Sequence, residues 1–256
     1  MVEPAPEDQS PHREAILDWL AANPLPRTPE HPCSYLPGLQ AQKEGFLADQ
    51  LDAGSYQALM DRGFRRSGRL FYAMACANCR RCVPIRVPVA TFTPSKSQRR
   101  AWRKNQDVTV AVDRPQFSPE KFALYQRYLR WQHPDTPPDD QDAPFREWLY
   151  QPIVDSCEVT YSLGGRILAI SIVDVSMRSV SGVYHFYEPE FAARSLGVFS
   201  VLAEIEWCRQ LGVPYYYLGY WVEGAATMHY KANYRPHELL RDGKWEAAAN
   251  PAPDGD

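Results

Sequence analysis

Three cysteines in the run Cys76-x-x-Cys79-x-x-Cys82 stand close enough for their thiolates to share one metal centre. Such a run can fill three corners of an iron–sulfur cubane, with Cys33 as the candidate fourth ligand. Zinc is the second reading, because structural zinc usually draws on two separated pairs. Reduced thiols beside a turn, with no metal, are the third. Cys157 and Cys208 fall in strand and helix patterns and read as core residues. A second constellation is cationic. Lys96, Arg99, Arg100, Arg103 and Lys104 recur at i, i+3, i+4, i+7 and i+8, so a helix over 95–104 puts them on one face. Arg65 and Arg66 sit in a glycine-bounded turn, and Lys231, Tyr234 and Arg235 crowd one short segment. No nucleophilic triad is visible. Ser195 lacks a glycine-flanked elbow, neither His185 nor His229 lies in a nucleophile motif, and His185 reads as a satisfied core residue.

The elements that must position these groups centre on residues 180–221. Residues 180–187, rich in Val, Tyr and Phe, form a strand that Glu188 and Pro189 end. A helix then starts near Gly197, with Val198, Val201, Leu202, Ile205 and Cys208 on its apolar face and Glu204, Glu206, Arg209 and Gln210 on the other. Gly212 stops it, Pro214 cannot continue it, and 215–218 is a second strand. This predicts a right-handed crossover within one sheet, with chemistry at the carboxyl ends of the two strands, Tyr187-Glu188 and Gly219-Tyr220. Elsewhere, 46–62 has a helical tendency, 70–74, 83–89 and 109–112 read as short strands, and 122–131 reads as a helix. Residues 133–144 read as an acidic, proline-rich loop, and Gly164-Gly165 marks a hairpin between 157–163 and 166–175. The chain divides into a polar lead-in (1–30), a cysteine-containing lobe (31–95), an α/β lobe (96–240) and a polar tail (241–256).

The 256 residues carry a net charge of −3 that conceals a segregation. Residues 60–105 hold 12 Lys/Arg and one acid, whereas the remainder holds 16 Lys/Arg against 30 Asp/Glu. A polyanionic partner, nucleic acid first, is one reading, and a basic face balanced by acidic neighbours within the fold is the other. No apolar run approaches a membrane span, and the N-terminal residues lack the pattern of a signal peptide. Sparse cysteines argue against a disulfide scaffold, so a cytoplasmic location is expected.

Two resemblances sharpen this reading. The loop Arg194-Ser195-Leu196-Gly197-Val198-Phe199 opens a helix where a phosphate could bind, and half resembles the pyrophosphate loop of the acetyl-CoA-dependent N-acetyltransferases. Phe199 replaces its last small residue, which implies an acetyltransferase-like (GNAT-like) fold without the coenzyme site. More broadly, Phe64-Arg65-Arg66-Ser67-Gly68, the cysteine run into Val83-Pro84-Ile85-Arg86, and Pro94-Ser95-Lys96-Ser97-Gln98 resemble the N-terminal half of the aminoacyl-tRNA–protein transferases. Ser195-Leu196-Gly197, Tyr217-Leu218-Gly219-Tyr220 and Met228-x-Tyr230-Lys231-x-x-Tyr234-Arg235-Pro236 resemble the C-terminal half. The length and cysteine pattern are most similar to the bacterial branch, the aspartate/glutamate leucyltransferases.

The resemblance implies a mixed α/β chain with an acetyltransferase-like catalytic lobe and a smaller cysteine-containing lobe. It implies transfer of leucine from leucyl-tRNA to the α-amino group of proteins beginning with Asp or Glu, a step of N-degron marking. An aminoacyl ester is already activated, so no cofactor is required for the transfer itself. Glu188 and Tyr220 at the strand ends are the catalytic candidates, with Glu188 placed to bind or deprotonate an ammonium. Arg65, Arg66, Lys231, Tyr234 and Arg235 are the substrate-binding candidates, the cations facing the acceptor's carboxylate near Glu188. Lys96, Arg99, Arg100, Arg103 and Lys104 are assigned to tRNA phosphates. Three other functions stay open: an arginyl-tRNA-dependent transferase of the same family, an acyl-coenzyme-dependent N-acyltransferase, and a noncatalytic RNA-binding cluster sensor.

Overall fold

The structure is a computed structural model and describes residues 11–134 and 140–248. The chain begins with helix α1 (Pro11–Ala22), the short strands β1 (His31–Pro32) and β2 (Gln40–Ala41), strand β3 (Lys43–Leu47) and helix α2 (Ala53–Asp61). Strands β4 (Arg65–Ser67), β5 (Leu70–Met74) and β6 (Cys82–Pro88) follow, then helix α3 (Lys96–Lys104) and strand β7 (Thr109–Asp113). Helices α4 (Pro119–Gln132) and α5 (Ala143–Leu149) lead into β8 (Ser156–Leu163), β9 (Arg166–Val175) and β10 (Ser179–Tyr187). Helix α6 (Leu196–Leu211) joins β10 to β11 (Tyr215–Val222), and β12 (Glu238–Arg241) and β13 (Lys244–Ala247) form a last hairpin.

Local rules account for many of the ends. Asp52 caps α2 by accepting from the Gly54 and Ser55 amides, and Ser95 and Gln98 cap α3 reciprocally. Ser118 caps α4, with Pro119 in its first turn. Gly212, in the left-handed region, ends α6 where the sequence places its stop. The helical tendency of 46–62 survives only in α2. Residues 43–47 pair with β5 instead, and a β-carbon on Gly45 would meet the Phe71 carbonyl oxygen at 2.2 Å, so only glycine fits that crossing.

Eight strands form one sheet in the order β13-β12-β6-β11-β10-β9-β8-β7, and β3-β5-β4 form a smaller one. The mixed α/β architecture expected from the sequence is therefore observed. Alternation along β9 feeds two cores. Ala169 and Val173 join Leu202, Ile205 and Cys208 of α6 on one face. Ile170 and Ile172 meet Leu124 of α4 and Phe145 and Leu149 of α5 on the other. A third core joins Tyr56, Leu59 and Met60 of α2 to Phe71 and Tyr217, linking the small sheet to the large one. Each fully buried Leu, Ile or Phe contributes about 1.5–3 kcal/mol, so these cores hold the helices firmly to the sheet.

The segment boundaries differ from those read in the sequence. β6, assigned to the N-terminal lobe, pairs with β11 from Cys82 to Pro88 and is an interior strand of the large sheet. Residues 11–22 of the lead-in are helix α1, whose Arg13 bonds Asp61 at 2.9 Å, and 244–247 of the tail are β13. Partners distant in sequence supply the hydrogen bonds and apolar surface that polar composition alone conceals. Residues 1–10 of the lead-in, 135–139 of the acidic loop and 249–256 of the tail lie outside the described residues.

The feature that positions a site is the relation of β10 to β11. The two are parallel and joined by α6, as predicted, but pair only at Ser179, Val180 and Ser181 with Tyr215, Tyr216 and Tyr217. Beyond that point β10 has an irregularity between Gly182 and Tyr184, and β11 has one between Tyr217 and Gly219. The strands part there. Among the described residues no helix is long and apolar enough to cross a membrane.

Candidate active site

Between the parted strands and the first turns of α6 lies a cavity of about 750 Å³. Arg65 enters it from β4. Its guanidinium donates to Ser181 Oγ at 2.6 Å and to the Gly182 carbonyl oxygen at 2.5 Å, where parallel pairing ends. Lys231 comes from the 3₁₀ segment Ala226–Asn233, is almost fully buried, and donates to the Tyr220 carbonyl oxygen at 2.8 Å. Burial lowers its pKa to about 7, and the charge of Arg65 pushes in the same direction. Tyr220 also lines the cavity, but its hydroxyl donates to the Gly63 carbonyl oxygen at 2.8 Å and burial raises its pKa. That phenol ties β11 to the turn between α2 and β4.

A buried polar chain runs along the same wall. Glu204 of α6 accepts from Tyr161 Oη at 2.9 Å and from Tyr216 Oη. Burial raises its pKa, opposed by hydrogen bonds from Ser171, Tyr216 and Tyr161. Ser171 Oγ lies 2.9 Å from His185 Nδ1, while His185 Nε2 is enclosed and has no protein partner. Burial lowers the imidazole pKa to about 4, so it is neutral at physiological pH. His185 was expected to be a satisfied core residue and Glu204 to face solvent; both instead line the cavity. Glu204 stands three residues after Val201 and four before Cys208, on the apolar stripe, a spacing that signals its burial.

Other candidates lie elsewhere. Arg66 is not in the cavity: its side chain is 1% exposed and makes a two-pronged ion pair with Asp174 at 2.8 and 2.7 Å. Asp174 also accepts from Tyr56 Oη and Ser156 Oγ, so the arginine completes a buried network. Glu188 is also absent from the cavity lining. It is buried and takes three hydrogen bonds from Arg127, with Arg166 at 3.4 Å, so its carboxylate is already committed to cations. Tyr234 is buried beside Phe92, and Arg235 is half-buried next to it; neither lines the cavity. Of the four cations expected near Glu188, only Arg65 and Lys231 line the cavity, and Glu188 itself lies outside it.

Helix α3 forms as predicted, and its five cations are exposed on its surface. A cleft of about 240 Å³ on one flank is lined by Arg100 and Lys104 and shares Ser195, Val198 and Tyr230 with the cavity. The basic helix and the cavity thus adjoin at these three residues. The phosphate loop is altered: Arg194 pairs with Asp107 at 2.8 and 2.9 Å, and Phe199 is buried against Trp102 and Tyr161.

Cys33, Cys79 and Cys82 pack beside Tyr220 and Val222, and Cys76 accepts from the Gln42 amide at 3.4 Å. Burial, with the neighbouring thiols, pushes Cys82 up to about 12. The thiols are near one another, yet among the described residues no group of three or more His, Cys, Asp or Glu side chains is arranged to hold a metal ion. They do not fit the expected cluster in this arrangement.

A sheet opened between parallel strands, with Arg65, the buried Lys231 and a neutral imidazole lining the opening, gives this mixed α/β fold a site suited to group transfer. The chain belongs to the aminoacyl-tRNA–protein transferase family: residues 31–100 match the family described as arginine-tRNA-protein transferase, N terminus, and 120–241 match its C terminus. It is 38% identical over 237 residues to the aspartate/glutamate leucyltransferase of Chromobacterium violaceum, covering 92% of this chain and 97% of that one. With the enzyme of the same name from Pseudomonas fluorescens it shares 41% identity over 221 residues, covering 85% and 94%. Among solved structures it is similar to FemX, with 8% identity, 89% and 88% coverage and a TM-score of 0.49. Family membership makes an aminoacyl-tRNA the donor and a protein the acceptor.

Proposed function

We propose that this protein transfers leucine from leucyl-tRNA to the α-amino group of proteins beginning with Asp or Glu, in the cytoplasm, marking them for degradation. One observation carries the reading: a cavity lined by the buried Lys231 and the half-buried Arg65 adjoins the basic flank of α3 through Ser195, Val198 and Tyr230. The tRNA body lies along Lys96, Arg99, Arg100, Arg103 and Lys104, and its aminoacyl end passes Ser195, Val198 and Tyr230 into the cavity. Ile172, Val201, Leu218 and Met228 give that space apolar walls. Its one lining carboxylate among the described residues, Glu204, already serves two tyrosines. Both features suit a leucyl group better than an arginyl group.

The acceptor's carboxylate side chain faces Arg65 and Lys231. Its α-ammonium, with a pKa of about 7.7–8.0, supplies enough free amine to attack the ester carbonyl carbon. If Ser171 donates to Glu204, it accepts from His185 Nδ1–H and Nε2 carries a lone pair; that atom is enclosed in the free protein, so substrate binding opens the wall over it. His185 then takes the proton from the attacking nitrogen and returns it to the ribose oxygen as the ester C–O bond breaks. From the free amine the products are an amide and a free tRNA ribose hydroxyl with no net proton change; the proton that the α-ammonium loses beforehand goes to solvent. The test is incubation of the purified protein with labelled leucyl- or arginyl-tRNA and peptides beginning Asp, Glu or Ala. Label should move from leucyl-tRNA to the Asp and Glu peptides only; movement from arginyl-tRNA, or onto the Ala peptide, overturns this specificity.

A further inference from the structure

Helix α3 has two flanks, and the cleft that admits the aminoacyl end lies on one of them. At 100° per residue the five cations span about 140° of α3, with Arg99 at one edge beside Trp102 and Lys104 at the other. On the Arg99 flank, between α3 and α6, lies a separate groove of about 560 Å³. Its apolar surface includes Phe92, Pro94, Trp102 and Leu202. Trp102 is 36% exposed, and its ring lies 5.4 Å, centroid to centroid, from that of Phe199. Lys96, Arg99 and Arg103 stand along the same helix beside it, all exposed. Glu206, the groove's one carboxylate among the described residues, pairs with Arg209 at 2.8 Å, and Arg209 also donates to the Phe92 carbonyl oxygen at 2.8 Å. The site therefore combines a flat aromatic surface with an excess of cations, a combination suited to a nucleotide: the base stacks and its flanking phosphates meet the arginines.

We propose that this groove binds an unpaired nucleobase of the tRNA, stacked on Trp102, with Arg99 and Arg103 on the adjoining phosphates. The proposal rests on the assignment of aminoacyl-tRNA as donor. It adds a second contact, across α3 from the cleft that admits the aminoacyl end. Charge complementarity favours this occupant over a neutral or basic peptide. An acidic peptide is the competing occupant, and the test distinguishes it.

Stacking and phosphate contact respond differently to salt. A phosphate contact releases counterions and sets the slope of affinity against salt concentration, whereas stacking lowers affinity by a similar factor at every salt. Tryptophan-to-alanine loss of a stacked base corresponds to about tenfold or more in affinity. tRNA affinity would be measured from low to moderate salt for the wild type, Trp102→Phe, Trp102→Leu and Arg103→Glu. Trp102→Leu keeps apolar bulk against Phe199 but has no π face. We expect it to lose about tenfold at every salt with its slope unchanged, Trp102→Phe to retain most affinity, and Arg103→Glu to flatten the slope. A short single-stranded oligonucleotide should quench wild-type fluorescence more than that of Trp102→Phe. Wild-type affinity in Trp102→Leu, equal loss in Trp102→Phe and Trp102→Leu, or a loss confined to the slope overturns the proposal. So does quenching at Trp102 by an acidic peptide that competes with tRNA. Failure of the wild type to bind tRNA defeats the donor assignment instead, a result the variants cannot mimic.

Discussion

Arg65 packs directly across the backbone of Gly219: a β-carbon at Gly219 would stand 3.3 Å from the guanidinium carbon. Gly219 also has a φ of +87°, which L side chains rarely adopt. One residue thus lets β11 turn away from β10 and lets an arginine from the other sheet reach the opening. Gly219→Ala should cost about 1–2 kcal/mol of stability from backbone strain alone. It should also reduce transfer to Asp- and Glu-starting peptides more than tRNA affinity. Urea denaturation and peptide kinetics would show this, and unchanged kinetics would remove Gly219 from the site.

Arg66 and Asp174 should behave as structure. Their side chains are 1% and 0% exposed, and breaking such a pair strands a buried charge at a cost of about 3–5 kcal/mol. Arg66→Ala should therefore lower the denaturation midpoint sharply, with activity falling for all acceptors alike. A stable Arg66→Ala that fails only with acidic acceptors would restore its assignment to the substrate pocket.

Lys231 should make acceptor recognition depend on pH. With a pKa lowered to about 7 by burial and by Arg65, it is cationic below that pH and neutral above it. Its attraction for an acceptor carboxylate is thus present at pH 6 and fades by pH 8. The supply of free amine rises over the same range in every variant, so the informative quantity is the ratio of wild type to Lys231→Met. A charge-assisted hydrogen bond contributes about 1.5–3 kcal/mol, so this ratio in kcat/KM should be tenfold or more at pH 6. It should shrink by pH 8; a ratio that rises with pH would contradict the assignment.

His185 should matter to rate and to acid stability. Replacing the proton acceptor with His185→Gln should lower kcat by about 10²–10⁴ with little change in KM. Its folded pKa of about 4 lies below the ordinary value of 6.5, so the unfolded chain binds this proton first. The stability carried by the neutral imidazole is present above pH 6.5 and is lost as pH falls through 4, by at most about 3 kcal/mol. Groups facing the ring are Tyr161, Tyr187 and Ser171, with the Glu204 carboxylate beyond Ser171. Denaturation from pH 7 to 4 should show a shallower decline in His185→Gln than in the wild type. A parallel decline would place the acid sensitivity elsewhere.

The strand–helix–strand of 180–221, the basic helix and the Gly164-Gly165 hairpin were legible in the sequence because their causes are local. Apolar periodicity, caps and glycine stops act within a few residues, and these elements appear where they were expected. The family was legible too, since its motifs are short runs.

What the sequence could not decide was which charges face the opening. Arg65 and Arg66 are neighbours, and strand alternation sends them to opposite fates: one to Gly182 at the mouth of the cavity, the other to Asp174, 108 residues away. Glu188 stands at the strand end where chemistry was expected, but Arg127 and Arg166 neutralise it from other elements. Glu204 and His185 look like a helix-surface acid and a core imidazole until Ser171 on β9 brings them into one chain. Local sequence determines elements because backbone propensity and capping have short range. The role of a charged side chain is set by long-range partners, because a buried charge is tolerated only where the fold brings another group to meet it.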